Sequence, residues 1–226
     1  MTSTNLPPPE VAESIPATGL ARWSTGATPL PPYVAPAGME PICTWANLIT
    51  VIRTVTALVL GFAGAVQGSL LLLGIGYLVY WIGDSADGNV ARFLHQETRQ
   101  GAIFDIICDR ANTCVLAIGY MAYDPGVCVP LAVYLLQFMV VDMVLTLSFL
   151  FWPLVSPNYF NRVDRPVFLL NWSKTAKTAN TTVVVTLTAI GWIIPATVVA
   201  SLVLLIKAWS LHRIIGILTG RTAPIA

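Results

Sequence analysis

The chain reads as an all-α polytopic membrane protein with six transmembrane helices and a disordered, proline-rich N-terminal tail. Three observations carry that reading. First, of 226 residues 56% are hydrophobic and only 10% are charged, and mean hydropathy is +0.73. An ordinary soluble domain is roughly 25% charged, and so few charges cannot clothe a water-soluble fold of this size. Second, the apolar runs are continuous rather than alternating and approach the ~20 residues that a helix needs to cross a bilayer, so helices are favoured over a barrel. Third, nine of the sixteen prolines fall within residues 1–41, which marks that stretch off from everything after it.

The elements follow in order. Residues 1–40 carry runs such as Leu6-Pro7-Pro8-Pro9 and Leu30-Pro31-Pro32 and are expected to be a solvated cytoplasmic tail with polyproline character. They lack the basic region and apolar core of a signal peptide. Residues 41–218 form the membrane domain, with spans expected near 45–66, 69–92, 101–123, 126–152, 173–191 and 194–216. Residues 219–226 are a short C-terminal tail. Connections at Gln67-Gly68, Asp124-Pro125 and Gly191-Trp192 are tight, whereas 93–100 and 153–172 are longer and polar. With six spans, all twelve Lys and Arg residues lie in or near the face that holds the N-terminus, and the three short loops opposite have none. That asymmetry puts both termini on the cytoplasmic side of a bacterial-type membrane. A net charge of +1 leaves no basic face for nucleic acid. The four cysteines do not suggest a disulfide framework and read as small apolar fillers.

Charge inside a membrane segment is costly and marks function by default. Here it is concentrated at one place. The second span ends with Asp84 and Asp87, spaced i,i+3, and the third opens with Asp105 and Asp109, spaced i,i+4. Each pair therefore shares a helix face, and the short connection makes the two helices antiparallel neighbours. Four carboxylates converge just beneath the cytoplasmic surface and cannot all stay charged in a low dielectric without cations. Hard oxygen ligands suit two Mg²⁺ or Mn²⁺ ions, with substrate phosphates completing their shells. Gly88 and Ala91 are small enough to let a flat or phosphorylated ligand approach the backbone, and Arg92 can pair with a phosphate. The competing reading is a set of interhelical ion pairs with Arg92 and Arg110, but two arginines do not balance four acids.

The string D-x-x-D-G-x-x-A-R, eight further residues and G-x-x-x-D-x-x-x-D resembles the signature of the CDP-alcohol phosphotransferases (CDP-alcohol phosphatidyltransferases). Asp84, Asp87, Gly88, Ala91, Arg92, Gly101, Asp105 and Asp109 occupy every fixed position. Asn47-Leu-Ile-Thr50-Val-Ile-Arg53 is similar to the opening of the first span in that family, and the resemblance covers about residues 41–216. It implies an enzyme of phospholipid synthesis that moves a phosphatidyl group from CDP-diacylglycerol to a polar alcohol and releases CMP. It further implies that Asp84, Asp87, Asp105 and Asp109 bind two metal ions and that Asp109 is also the general base. Asn47, Thr50, Gly88, Ala91 and Arg92 would contact the cytidine nucleotide, and a homodimer is expected.

The acceptor is less fixed. Ser173-Lys174-Thr-Ala-Lys177-Thr178-Ala-Asn180 departs from the Gly-Lys-x-Lys-Thr-x-x-Gln stretch of members that make phosphatidylglycerophosphate. Arg110, Lys174, Lys177 and Lys207 are expected to form a cationic acceptor pocket, which suits glycerol 3-phosphate or an inositol phosphate; alternatively the lysines snorkel to lipid headgroups. Asp142, in mid-span with no basic residue near it in sequence, reads as structural. Glycines 61, 64, 74 and 76 read as helix contacts, and His95 and His212 as solvated. Two other classes compete: a UbiA-like prenyltransferase, and a divalent-cation transporter with an acidic intramembrane site. The first has no place for Gly88, Ala91, Arg92 and Gly101; the second expects its site carboxylates near the midplane and often an internal repeat, whereas the four aspartates lie near one face and the sequence shows no repeat.

Overall fold

The structure is a computed structural model, and it describes residues 31–36 and 40–225. The remainder of the expected tail lies outside the described residues. Its described end lies on the membrane domain: Val34 is buried and makes an antiparallel bridge with Leu154, and the Glu40 carboxylate accepts from the Arg99 backbone N–H at 2.7 Å.

Helix α1 spans Trp45–Gln67, α2 Leu70–Phe93 and α3 Arg99–Tyr123. Each opens on a hydroxyl cap that supplies an acceptor for the unpaired first-turn N–H groups: Thr44, Ser69 and Thr98 accept from Asn47, Leu72 and Gly101 respectively. α1 ends at Gly68, whose φ of 58° is the left-handed conformation that lets the chain reverse at once into α2. Asn47, Thr50, Thr54, Ala57, Gly61 and Gly64 form the buried stripe of α1, at helical spacing. Gly61, Gly64 and Gly76 are the expected close contacts, since a Cβ at any of them would come within 3.1 Å of Leu73, Val115 or Leu116. Gly74 faces open space instead.

The fourth span was expected as one helix over 126–152 and is interrupted. A 3-10 turn, Pro125–Val127, leads into α4 (Cys128–Leu136), a π-helical turn (Gln137–Val141), α5 (Asp142–Leu147) and a second 3-10 turn, Ser148–Phe151. The polar connection after it holds a 3-10 segment, Pro157–Arg162, and α6, Arg165–Asn171. Trp152, Phe160 and Trp172 stack edge-on or tilted with centroids 5.3 and 4.8 Å apart and pin this connection to the bundle. The Tyr159 hydroxyl donates to Glu97 at 2.7 Å, and burial together with that carboxylate pushes the phenol up to about 12. Helices α7 (Lys174–Ala189) and α8 (Ile193–Leu218) complete the chain.

The outer surface is apolar: Val59, Phe62, Leu71, Ile194, Val198 and Leu205 are all more than half exposed. Such a belt is at home in lipid and out of place in water. Among the described residues three helical segments are long and apolar enough to cross a membrane by themselves, Trp45–Gln67, Pro125–Phe151 and Ile193–Leu218. The other three expected spans correspond to helices α2, α3 and α7. The first two carry the acidic residues, and the third is only 16 residues long. All four cysteines are free thiols, and His95 and His212 are exposed.

Candidate functional site

The four aspartates meet around a residue from a third helix. Arg53 of α1 is almost fully buried, and its guanidinium contacts Asp87 at 2.7 Å, Asp109 at 3.0 Å, Asp84 at 3.5 Å, and Asp105. What brings α1 this close is Gly83: a Cβ there would lie 2.5 Å from the Arg53 Cβ. Arg53 was expected only as part of the first-span motif, and the ion pairs considered from sequence were with Arg92 and Arg110. Neither of those touches the four. Arg92 bonds the Asn89 side chain at 3.0 Å, and Arg110 points elsewhere.

One guanidinium leaves the four carboxylates with a large excess of negative charge. Asp84, Asp105 and Asp109 each offer an oxygen within 4.8 Å of the others, a compact set of hard donors on two helices. Such a set fits Mg²⁺ or Mn²⁺ and lacks the nitrogen or sulfur ligands that would favour zinc or copper. Asp87 stands apart: it is buried, and one of its oxygens already accepts from the Thr50 hydroxyl and from Arg53 Nε, both at 2.7 Å. It therefore ties α1 to α2 at the floor of the cluster.

Beside the cluster is a small pocket of about 90 Å³. Asn47, Thr50, Gly88, Ala91 and Arg92, the expected nucleotide set, all line it. Gly88 opens into this space, because a Cβ there would meet nothing nearer than the movable Arg92 guanidinium at 3.4 Å. Gly101 has a different role: a Cβ would strike Thr98 Oγ1 at 2.7 Å and Asn47 Oδ1 at 3.0 Å, so only glycine lets α3 start against α1. Asn47 is oriented by donating to the Ile42 carbonyl at 2.6 Å.

On the other side lies a cavity of about 310 Å³ that reaches from Asp84, Asp105 and Asp109 to Arg110, Asp142 and Lys207. Three of the four expected acceptor residues line it: Arg110, Lys177 and Lys207. Lys174 does not; it opens α7 and is exposed. Arg110 and Lys207 are buried and both bind Asp142, the former at 2.6 Å, while the Arg110 guanidinium lies 3.6 Å from the centre of the Phe138 ring. Asp142 is thus the counter-ion of the cationic wall. Sequence could not pair it, because its partners come from 32 and 65 residues away. Lys177 reaches Asn158 at 2.7 Å. Asp105, Ala102, Ser156 and Asn158 line both spaces, so the two open onto one set of carboxylates.

The arrangement can hold an anionic ligand with a flat end in the small pocket and a second, anion-bearing ligand in the large one, with carboxylates between them. The sequence model of the family described as CDP-alcohol phosphatidyltransferase matches residues 43–211. No curated protein and no solved structure matches the chain.

Proposed function

The chain belongs to the CDP-alcohol phosphatidyltransferase family, and from that premise we propose that it transfers a phosphatidyl group from CDP-diacylglycerol to a phosphorylated polar alcohol. Family membership carries the coarser statement: a membrane-embedded transferase of phospholipid synthesis that takes a CDP-alcohol and an alcohol acceptor. The finer reading rests on one observation. The nucleotide set and the cationic set line two separate spaces that share Asp105.

In this scheme Asn47, Thr50, Gly88, Ala91 and Arg92 bind the cytidine nucleotide and leave its diphosphate over the aspartates. Asp84, Asp105 and Asp109, with Asp87 beside them, are the residues that would hold two divalent ions, whose positive charge would offset that of the diphosphate. Arg110, Lys177 and Lys207 orient the acceptor through its phosphate, as fixed cations in a partly dry cavity. The acceptor hydroxyl oxygen attacks the phosphorus that bears diacylglycerol. The bond from that phosphorus to the bridging oxygen breaks, CMP leaves with the oxygen, and Asp109 takes the hydroxyl proton. Six crossings, with the active site and both termini on the cytoplasmic side, suit a soluble nucleotide product, and the positive-inside pattern supports that orientation. A homodimer is the expected assembly.

The test is CMP release by detergent-purified protein with CDP-diacylglycerol and Mg²⁺. Glycerol 3-phosphate, inositol 1-phosphate, free inositol and serine are supplied singly. Release that depends on one phosphorylated acceptor and is abolished by chelation is the expected result. Release with free inositol or serine alone would contradict the cationic pocket, and no release with any acceptor would contradict the transfer.

A further inference from the structure

Ser156 and Asn158 line both the small pocket and the large cavity, so the connection that carries them is a wall common to the two. One end of that wall is fastened through the backbone. Val155 N–H donates to the Tyr33 carbonyl at 3.0 Å and Ala35 N–H to the Pro153 carbonyl at 3.2 Å, so the described end of the tail pairs with the connection backbone to backbone. The Arg99 guanidinium adds bonds to the Trp152 and Leu154 carbonyls at 3.0 and 3.1 Å, and Trp152, Leu154 and Val155 are all buried. The other end is held by a side chain. Tyr159 is half-buried, and its hydroxyl donates to Glu97 Oε2 at 2.7 Å. Glu97 belongs to the connection between α2 and α3 and lines the small pocket as well.

Between the two fastenings lie Ser156, Pro157 and Asn158, and the Asn158 side chain accepts from Lys177 Nζ at 2.7 Å. The residue next to Tyr159 thus holds one of the cations of the large cavity. A hydrogen bond to a carboxylate is stronger than one between neutral groups, and this one joins two polar connections across 62 residues of chain. We propose that Tyr159 and Glu97 are positioning residues: their hydrogen bond clasps the two connections together and keeps the shared wall where both spaces are formed. The proposal takes the two-ligand reading above as its premise and adds the residues that hold the two spaces in register. A wall that is in place only part of the time weakens every ligand that needs it by one common factor, the fraction of time it is in place. A residue that touched one ligand would weaken that ligand alone. A residue that served only the fold would lower the melting temperature and leave both affinities as they were.

The experiment is titration calorimetry of the detergent-solubilised full chain in Mg²⁺, with CDP and, separately, with inorganic phosphate. Tyr159→Phe removes the hydroxyl and keeps the ring that packs against Tyr33. It should melt within a few degrees of wild type and bind both probes more weakly, by the same factor of at least about five. Glu97→Leu should reproduce that loss, and Tyr159→Phe combined with Glu97→Leu should lose no more than either alone. Glu97→Gln keeps an oxygen for the hydroxyl and should retain most of the wild-type affinity. Wild-type affinities in Tyr159→Phe, a loss confined to one probe, additive losses in the double variant, a loss in Glu97→Gln as large as in Glu97→Leu, or no binding of either probe by wild type overturns the proposal. If Tyr159→Phe does not fold, Glu97→Leu set against Glu97→Gln decides alone. CMP release from CDP-diacylglycerol is followed in parallel. Binding that behaves as expected with no CMP release sinks the transfer reading and leaves the clasp, whereas CMP release with undiminished binding in Tyr159→Phe sinks the clasp and leaves the transfer.

Discussion

Arg53 donates through Nε to Asp87 Oδ2 at 2.7 Å, so the most buried carboxylate of the cluster is neutralised from a different helix. The rest of the guanidinium reaches the three carboxylates that could hold a metal. Divalent ions held by those three would share with Arg53 the work of balancing one charge cluster. Arg53→Gln should lower stability in EDTA by about 3 kcal/mol, because removing one partner strands buried charge, and Mg²⁺ should restore more stability to the variant than to wild type. Thermal melts of both proteins with EDTA and with Mg²⁺ check this. An identical Mg²⁺ response would show that the cluster does not bind the ion in competition with Arg53.

Asp109 lines the large cavity, where an acceptor hydroxyl would sit, but not the small pocket. Asp109→Asn keeps the shape and one oxygen and cannot take a proton. Turnover should fall by at least about a hundredfold, the lower range for loss of a general base, with CDP binding retained. Single-turnover CMP release and equilibrium CDP binding on the same preparation separate the two effects. A variant with full turnover would refute the base assignment.

Gly88 offers a test of the small pocket without disturbing the fold, since an added Cβ meets only Arg92 at 3.4 Å. Gly88→Val should melt within a few degrees of wild type and bind CDP at least about tenfold more weakly, because its branched side chain fills space the nucleotide needs. Unchanged CDP affinity would move the nucleotide elsewhere. Gly101→Val is the contrast: its Cβ would strike Thr98 and Asn47, so it should lose stability as well.

Local spacing made much of this site legible. Asp84 with Asp87, and Asp105 with Asp109, are turn-related pairs on two helices joined by a short connection, and the five residues expected to contact a nucleotide come from the same stretch and the start of α1. Residues joined only by tertiary packing were harder to read. Arg53 lies i,i+3,i+6 from Asn47 and Thr50, a spacing that puts all three on one helix face, and Gly83 opposite was the second sign. Together they could have marked Arg53 as the counter-ion. Asp142 gave no such sign, since nothing in a run of apolar residues announces a lysine 65 positions on. The π-helical turn was likewise invisible, because one residue of extra helical winding leaves no mark on hydropathy. Lys174 and Lys177 looked equivalent in sequence. They sit three residues apart on α7, and only Lys177 lines the cavity.

Asp142 holds two buried cations, Arg110 and Lys207, which would otherwise repel each other across the cavity wall. Asp142→Asn leaves them with no carboxylate and should cost about 3 kcal/mol. The same two groups are proposed to bind the acceptor phosphate, so an external anion can take over part of the carboxylate's task. Inorganic phosphate, and inositol 1-phosphate more strongly, should therefore raise the melting temperature of Asp142→Asn by more than they raise that of wild type. Ligand that binds only the folded state stabilises it in proportion to occupancy, which makes the shift titratable. Asp142→Asn with Lys207→Met removes one of the stranded cations as well, and should regain intrinsic stability while losing the phosphate response. If phosphate shifts wild type and Asp142→Asn equally, Arg110 and Lys207 serve the fold alone and the acceptor's anion is bound elsewhere.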